Sequence, residues 1–196
     1  MDNPPIIELN AKRLKSALMD AIPKAFDEVK IAHEAEQLYA FALYSSPEAL
    51  YIMPSANTEE GLTRVAQRYL QTYGGSLEAQ RAGLRWNPDD WAYHLEGESC
   101  FHQVAQIMGE SWSFLVDYDG ANADLHAQAQ VFETCIEVLQ ILDAQGVFGQ
   151  HEARQNITLL LTMGDIDNAA ILAWAKRLNP TVVYERLTVQ LTSQHP

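Results

Sequence analysis

The chain has only two cysteines, Cys100 and Cys135, far apart and in neither CxxC nor Cys-His spacing. That excludes a disulfide framework and a zinc knuckle and leaves two buried, reduced thiols as the expectation. Positive charge is scarce too: 13 Lys and Arg stand against 26 Asp and Glu, for a formal charge of -13. Such a surface repels nucleic acid and anionic membranes, and beyond solubility it suits a basic protein, a polyamine or a metal ion. No stretch approaches the ~18 apolar residues of a membrane span, and Met1-Asp2-Asn3-Pro4-Pro5 lacks both parts of a secretory leader. A soluble, cytoplasmic protein is expected. GxSxG, a Gly-rich phosphate loop, HExxH, internal repeats and low-complexity linkers are also missing, so no familiar signature anchors catalysis.

What is present is a chain of 196 residues, 47% hydrophobic and 20% charged, which suits one globular domain over 1–196. Leu14, Leu18, Ile22, Phe26 and Val29 keep helical steps, and Pro23 within them leaves a kinked helix and two tandem helices both open. Residues 37–44 and 50–53 read as the strands of a first hairpin. Asn57, with Glu60 three positions on, reads as the capped start of a helix reaching Gly74-Gly75. Asn87-Pro88-Asp89-Asp90 lies between two aromatic segments and reads as the turn of a second hairpin, flanked by Trp86 and Trp91.

Phe101, Val104 and Met108 predict a helix before Gly109, whereas residues 111–118 fit helix and strand equally. A broad apolar face over 125–142 predicts a central helix, ended by Gly146 in a left-handed cap. Residues 157–163 predict a strand. Gly164-Asp165-Ile166-Asp167 then turns into a last helix stopped by Asn179-Pro180, and residues 181–191 fit a short helix or a strand. The sum is an α+β domain, with a mainly antiparallel sheet of about four to six strands packed with several helices.

Five landmarks, FALY (41–44), ANTEEGL (56–62), RWNPDDWAYH (85–94), LDAQGVFG (142–149) and AKRLNP (175–180), resemble in order and spacing a bacterial domain-of-unknown-function family. The resemblance runs over about residues 14–180. It implies no established activity. It also implies toxin binding for part of the family, because some members resemble immunity proteins encoded beside polymorphic toxins. Ser45-Ser46-Pro47 departs from the Thr-Asp type of turn expected after FALY, which bears only on hairpin geometry.

The candidate partner-binding surface is Trp86, Asp89, Asp90, Trp91 and His94, whose carboxylates and indoles suit the Arg or Lys of a partner. The competing reading is a turn with core tryptophans. Asn57, Glu60, Arg154 and Asp165 are read as structural caps that also stand where a functional group would be useful, Asp165 above all, between a strand and a helix. The acids at 59 and 60 make that helix end a poor phosphate cradle. His94, Glu98 and His102 would align as metal ligands on one helix, but Gly97 and the strand through Tyr93 break it, so neither metal nor cofactor is assigned. The expected function is a non-enzymatic protein-binding module, an immunity or antitoxin factor masking a basic toxin. The alternative is a metal-dependent or small-molecule-binding enzyme.

Overall fold

Five consecutive apolar residues, 39–43, leave β1 no polar face, and every one of them is buried. The strand therefore has to be covered on both sides. The computed structural model describes residues 6–115, 125–164 and 166–192. In it β1 (Leu38–Ser45) pairs antiparallel with β2 (Ile52–Thr58) and parallel with β4 (Thr158–Met163), while β3 (Tyr93–His94) extends the sheet beyond β2. The order is β3-β2-β1-β4.

Phe41, Leu43, Leu159 and Leu161 face the larger core, built by α1 (Ile6–Ala32), α4 (His102–Leu115) and α5 (Leu125–Ala144). Complete burial of Phe41 and Leu43 contributes about 1.5–3 kcal/mol each. Ala40, Ala42 and Leu160 face a second core supplied by α2 (Glu59–Tyr73), α3 (Leu77–Leu84), α7 (Asn168–Leu178) and α8 (Thr181–Thr192), together with Trp86 and Trp91. Small side chains at 40 and 42 leave room on this face for the large rings. Simple alternation would put Tyr39 with Phe41, yet it belongs to the second core. The register shift between Leu38 and Ala40 explains this, because one residue of β1 is extra there and the following alternation is displaced.

α1 runs unbroken through Pro23, which selects the single helix of the two arrangements left open. The lost hydrogen bond is offset by a buried stripe from Leu14 to Val29 packed on α4 and α5. Cys135 on α5 is fully buried, which pushes its thiol up to about 12, and Cys100 is half-buried beside Glu28. α4 passes through Gly109 to Leu115, so residues 111–115 are helix, and 116–118 lie outside the described residues. The tail is helical, as α8. In the central helix the buried face begins at Ala127, since Leu125 is exposed.

The second hairpin does not form. Asn87 N donates to Leu84 O and closes the end of α3, an element the sequence pattern did not reveal. Pro88 then opens one turn of 3-10 helix over Pro88–Asp90, and only Tyr93 and His94 pair with β2. Pro88 has no N–H for a ladder and a fixed φ suited to a helical start, which favours the turn over a strand.

Two polar networks lock the frame. Arg154, on the short helix α6 (His151–Gln155), is 5% exposed. Its guanidinium donates to Asp143, to Ile157 O and Leu178 O, and to Asn179 Oδ1, so the ends of α5 and α7 and the start of β4 meet one side chain. Glu36 takes hydrogen bonds from Arg64, Thr58 and Tyr93, and the Arg64 bond leads in holding its carboxyl down to about 2. His33 stacks on Tyr93 at 3.7 Å between ring centres and bonds Glu96 through Nε2 at 2.7 Å.

Arg154→Met should lower unfolding stability by about 3 kcal/mol in urea titration, because Asp143 and two carbonyls lose their donor, and Arg154→Lys should lose less. An unchanged midpoint in Arg154→Met would contradict the clamp. For Glu36 the folded pKa lies below the unfolded 4.5, so its contribution is complete above that value and is lost as pH falls towards about 2. Glu36→Gln should therefore have a lower urea midpoint than the parent at pH 7, with a gap that narrows by pH 3. A gap equal at both pH values would rule out the carboxylate as its source.

Candidate functional site

Trp86 and Trp91 enter the second core from either side of the Pro88 turn, meeting Tyr39 edge-on at 5.5 and 6.3 Å between ring centres. They are 7% and 3% exposed. Their indole N–H groups are used internally, Trp91 Nε1 donating to Arg85 O and Trp86 Nε1 to Gln190 Oε1. As side chains they thus belong to the packing and not to an open aromatic surface. Asp90 is turned inward as well. It accepts from Tyr69 OH and Asn87 Nδ2, and the first of these bonds pushes the Tyr69 phenol up to about 12. Asp89 is exposed, and His94 is half-buried between Ser55 Oγ, 3.3 Å from Nδ1, and the edge of Tyr44.

The expected caps are also redistributed. Pairing with β1 carries β2 through Thr58, so Asn57 is a buried strand residue and Thr58 caps α2, its Oγ1 accepting from Gly61 N at 2.8 Å. Asn57 instead accepts from Thr58 N and Ala92 N and donates to Tyr39 OH. Glu60 reaches Gln37 N at 2.8 Å and ties down the entry to β1, not its own helix end. Asp167 caps α7 by accepting from Ala170 N, and Asp165 lies outside the described residues. Gly97 has φ +84, and a Cβ there would stand 2.8 Å from Ala25 Cβ. The chain therefore turns sharply against α1 between His94 and His102. Among the described residues no group of three or more His, Cys, Asp or Glu is placed to hold a metal ion, and no helix is long and apolar enough to cross a membrane.

Clefts of contrasting chemistry lie at the two ends of the β1–β4 pair, and Trp86 lines both. At the carboxyl end a cleft of about 340 Å³ is lined by Tyr44, Asn87, Asp89, Thr162 and Asn168 among others, and its described lining includes no Lys or Arg. Burial and then the hydrogen bond to Asp89 push the Tyr44 phenol well above its ordinary value, so it remains protonated. The arrangement offers one carboxylate, hydroxyls and amide oxygens to a cation. In open sheets with parallel strands this end is a common place for ligands.

At the amino end the cleft holds about 170 Å³ and is lined by Tyr39, Glu59, Arg85, Thr158, Arg186 and Gln190 among others. Glu59 receives both forks of Arg85, at 2.8 and 2.6 Å, and Arg81 Nη2 at 2.7 Å. Burial raises its carboxyl, but the two arginines outweigh it and hold the pKa below the ordinary range. Arg85 lies 4.6 Å from the Tyr39 ring centre, and burial holds the Tyr39 phenol far above its usual value. None of Arg81, Arg85 and Arg186 was singled out from sequence. Arg81 and Arg85 carried a usable signal in their four-residue helical spacing, while Arg186 carried none, being a lone residue about a hundred positions away.

No curated protein and no solved structure matches the chain. The family model for a domain of unknown function, DUF4303, matches residues 18–180, a span that includes all five landmark segments. The chain is a member of that family.

Proposed function

We propose that the protein is a non-enzymatic binding module that receives a basic side chain of a protein partner in the cleft at the carboxyl end of β1 and β4. The observation that carries this reading is the Asp89 cleft itself, an open space of about 340 Å³ with a carboxylate at its rim and no cation in its described lining. Asp89 is exposed and takes the Tyr44 hydroxyl, whereas Asp90 is turned to Tyr69 and Asn87, so Asp89 is the carboxylate of this turn that a partner would meet. The surrounding field has the same sign. Arg13, Lys15, Arg64, Arg81, Arg85 and Arg177 are already paired with carboxylates of the chain, which leaves much of the acidic surplus facing solvent. Such a field speeds association with a basic partner and makes it sensitive to salt.

The sequence resemblance of some family members to immunity proteins supports a toxin as that partner. On this reading the tryptophans hold the Asp89 turn in place, and the contact falls to Asp89 and the cleft behind it.

Co-expression with the product of the neighbouring gene tests the proposal. The protein should relieve toxicity and co-purify at low salt. Asp89→Lys, which inverts the rim charge at an exposed position, should weaken binding by about tenfold or more and lower the melting temperature only by the loss of the Tyr44 hydrogen bond, for which Asp89→Asn, retaining an acceptor, controls. No rescue and no co-purification, or full affinity in Asp89→Lys, would end this reading.

A further inference from the structure

The cleft at the amino end of β1 and β4 runs against the charge of the whole chain. Arg81, Arg85 and Arg186 gather around a single carboxylate, Glu59, in a protein of net charge -13. Glu59 is saturated by Arg81 and Arg85. Arg186 has no carboxylate partner among the described residues, and its Nη2 donates to Gln155 O at 3.1 Å. Burial first, and then the charge of Arg85, disfavours its guanidinium, which marks a place where positive charge is in excess.

A second observation comes from the strand. Thr158 lines this cleft and is 0% exposed, and its Oγ1 is buried with no hydrogen-bond partner. A buried hydroxyl without a partner costs about 1–3 kcal/mol, so such groups are rare unless something else satisfies them. Gln190 and Gln37 add amide groups, and Trp86 and Tyr39 add flat walls. The volume of about 170 Å³ is that of roughly five or six waters.

We infer that this cleft is a binding site for a small oxyanion, a phosphoryl or carboxylate group, held by Arg186, with Arg85 behind it and the Thr158 hydroxyl donating to one of its oxygens. Planar guanidinium donors and a hydroxyl form the donor set that either oxyanion accepts, and the partly dry surroundings strengthen each bond. Glu59 keeps Arg85 and Arg81 oriented, so the site is formed before the ligand arrives. The inference is independent of the Asp89 cleft, which lies at the other end of the strands.

Thermal denaturation in sodium phosphate or sodium acetate, at ionic strength matched with sodium chloride, tests the site. The melting temperature should rise with one or both oxyanions above the chloride control, and the larger response names the preferred group. Arg186→Gln should weaken the apparent affinity by about tenfold. Thr158→Val, which keeps the shape of the side chain, should also weaken it while leaving the anion-free protein as stable as the parent or more so. Asp89→Ala should respond like the parent. Responses no larger than chloride, equal responses in Arg186→Gln and the parent, or an anion-free Thr158→Val protein that melts lower would each overturn the assignment.

Discussion

One extra residue in β1 sets the positions of nearly everything that follows it in the second core. The shift of register between Leu38 and Ala40 rotates Tyr39 away from Phe41 and into the face that α2, α7 and α8 cover. There its hydroxyl donates to Arg85 O at 2.9 Å and accepts from Asn57 Nδ2 at 3.0 Å, its ring takes Trp86 and Trp91 edge-on, and Arg85 lies over it. With Arg85 fixed, Glu59 is fixed, and with Trp86 fixed the wall between the two clefts is set. In a regular strand Tyr39 would point into the α1 side, and this arrangement would have no centre.

The charge of the chain and the charge of its clefts are separate quantities. A net charge of -13 describes the long-range field that an approaching partner meets. Inside a cleft, groups a few ångströms away dominate. There the cleft at the amino end of the parallel pair is lined by two guanidiniums and one carboxylate, which Arg81 also holds, and the carboxyl end holds a carboxylate with no cation in its described lining. The sequence-based reading of the start of α2 as a poor phosphate cradle rested on the acids at 59 and 60. It did not anticipate that Glu59 is consumed by Arg81 and Arg85 or that Glu60 faces Gln37.

The periodic segments were legible from sequence because burial imposes their period. The α1 stripe, β1, the helix from 125 and the strand from 158 each carry a sustained apolar pattern, and Gly146, with φ +82, carries its own conformational signature. β2 was read only in part, as 50–53, because Pro54, Ser55, Asn57 and Thr58 break its apolar run. The segment 85–94 was misread because aromatic residues on both sides of Asn-Pro-Asp-Asp suit a hairpin and a helical turn between core rings alike. Pro88 favours the helical turn, and the packing of Trp86 and Trp91 on Tyr39 completes the choice. The cap of α2 was missed by one residue because Asn57 has a good capping side chain but is held in the ladder opposite Ala40. Thr158 and Arg186 come together through tertiary structure alone, and no local pattern marks them.

The parallel pairing of β1 with β4 joins Ala40 to Thr158, residues more than a hundred positions apart. During synthesis β1 and β2 can meet at once, but the other edge of β1 has to wait until most of the chain has emerged. For that interval a strand made of Tyr39, Ala40, Phe41, Ala42 and Leu43 exposes its free backbone groups, with no charged side chain along this run to discourage a wrong partner. That edge stays open to mispairing until β4 arrives. The Arg154 clamp, whose contacts lie at Asp143, Ile157 and Leu178, assembles only as that interval closes.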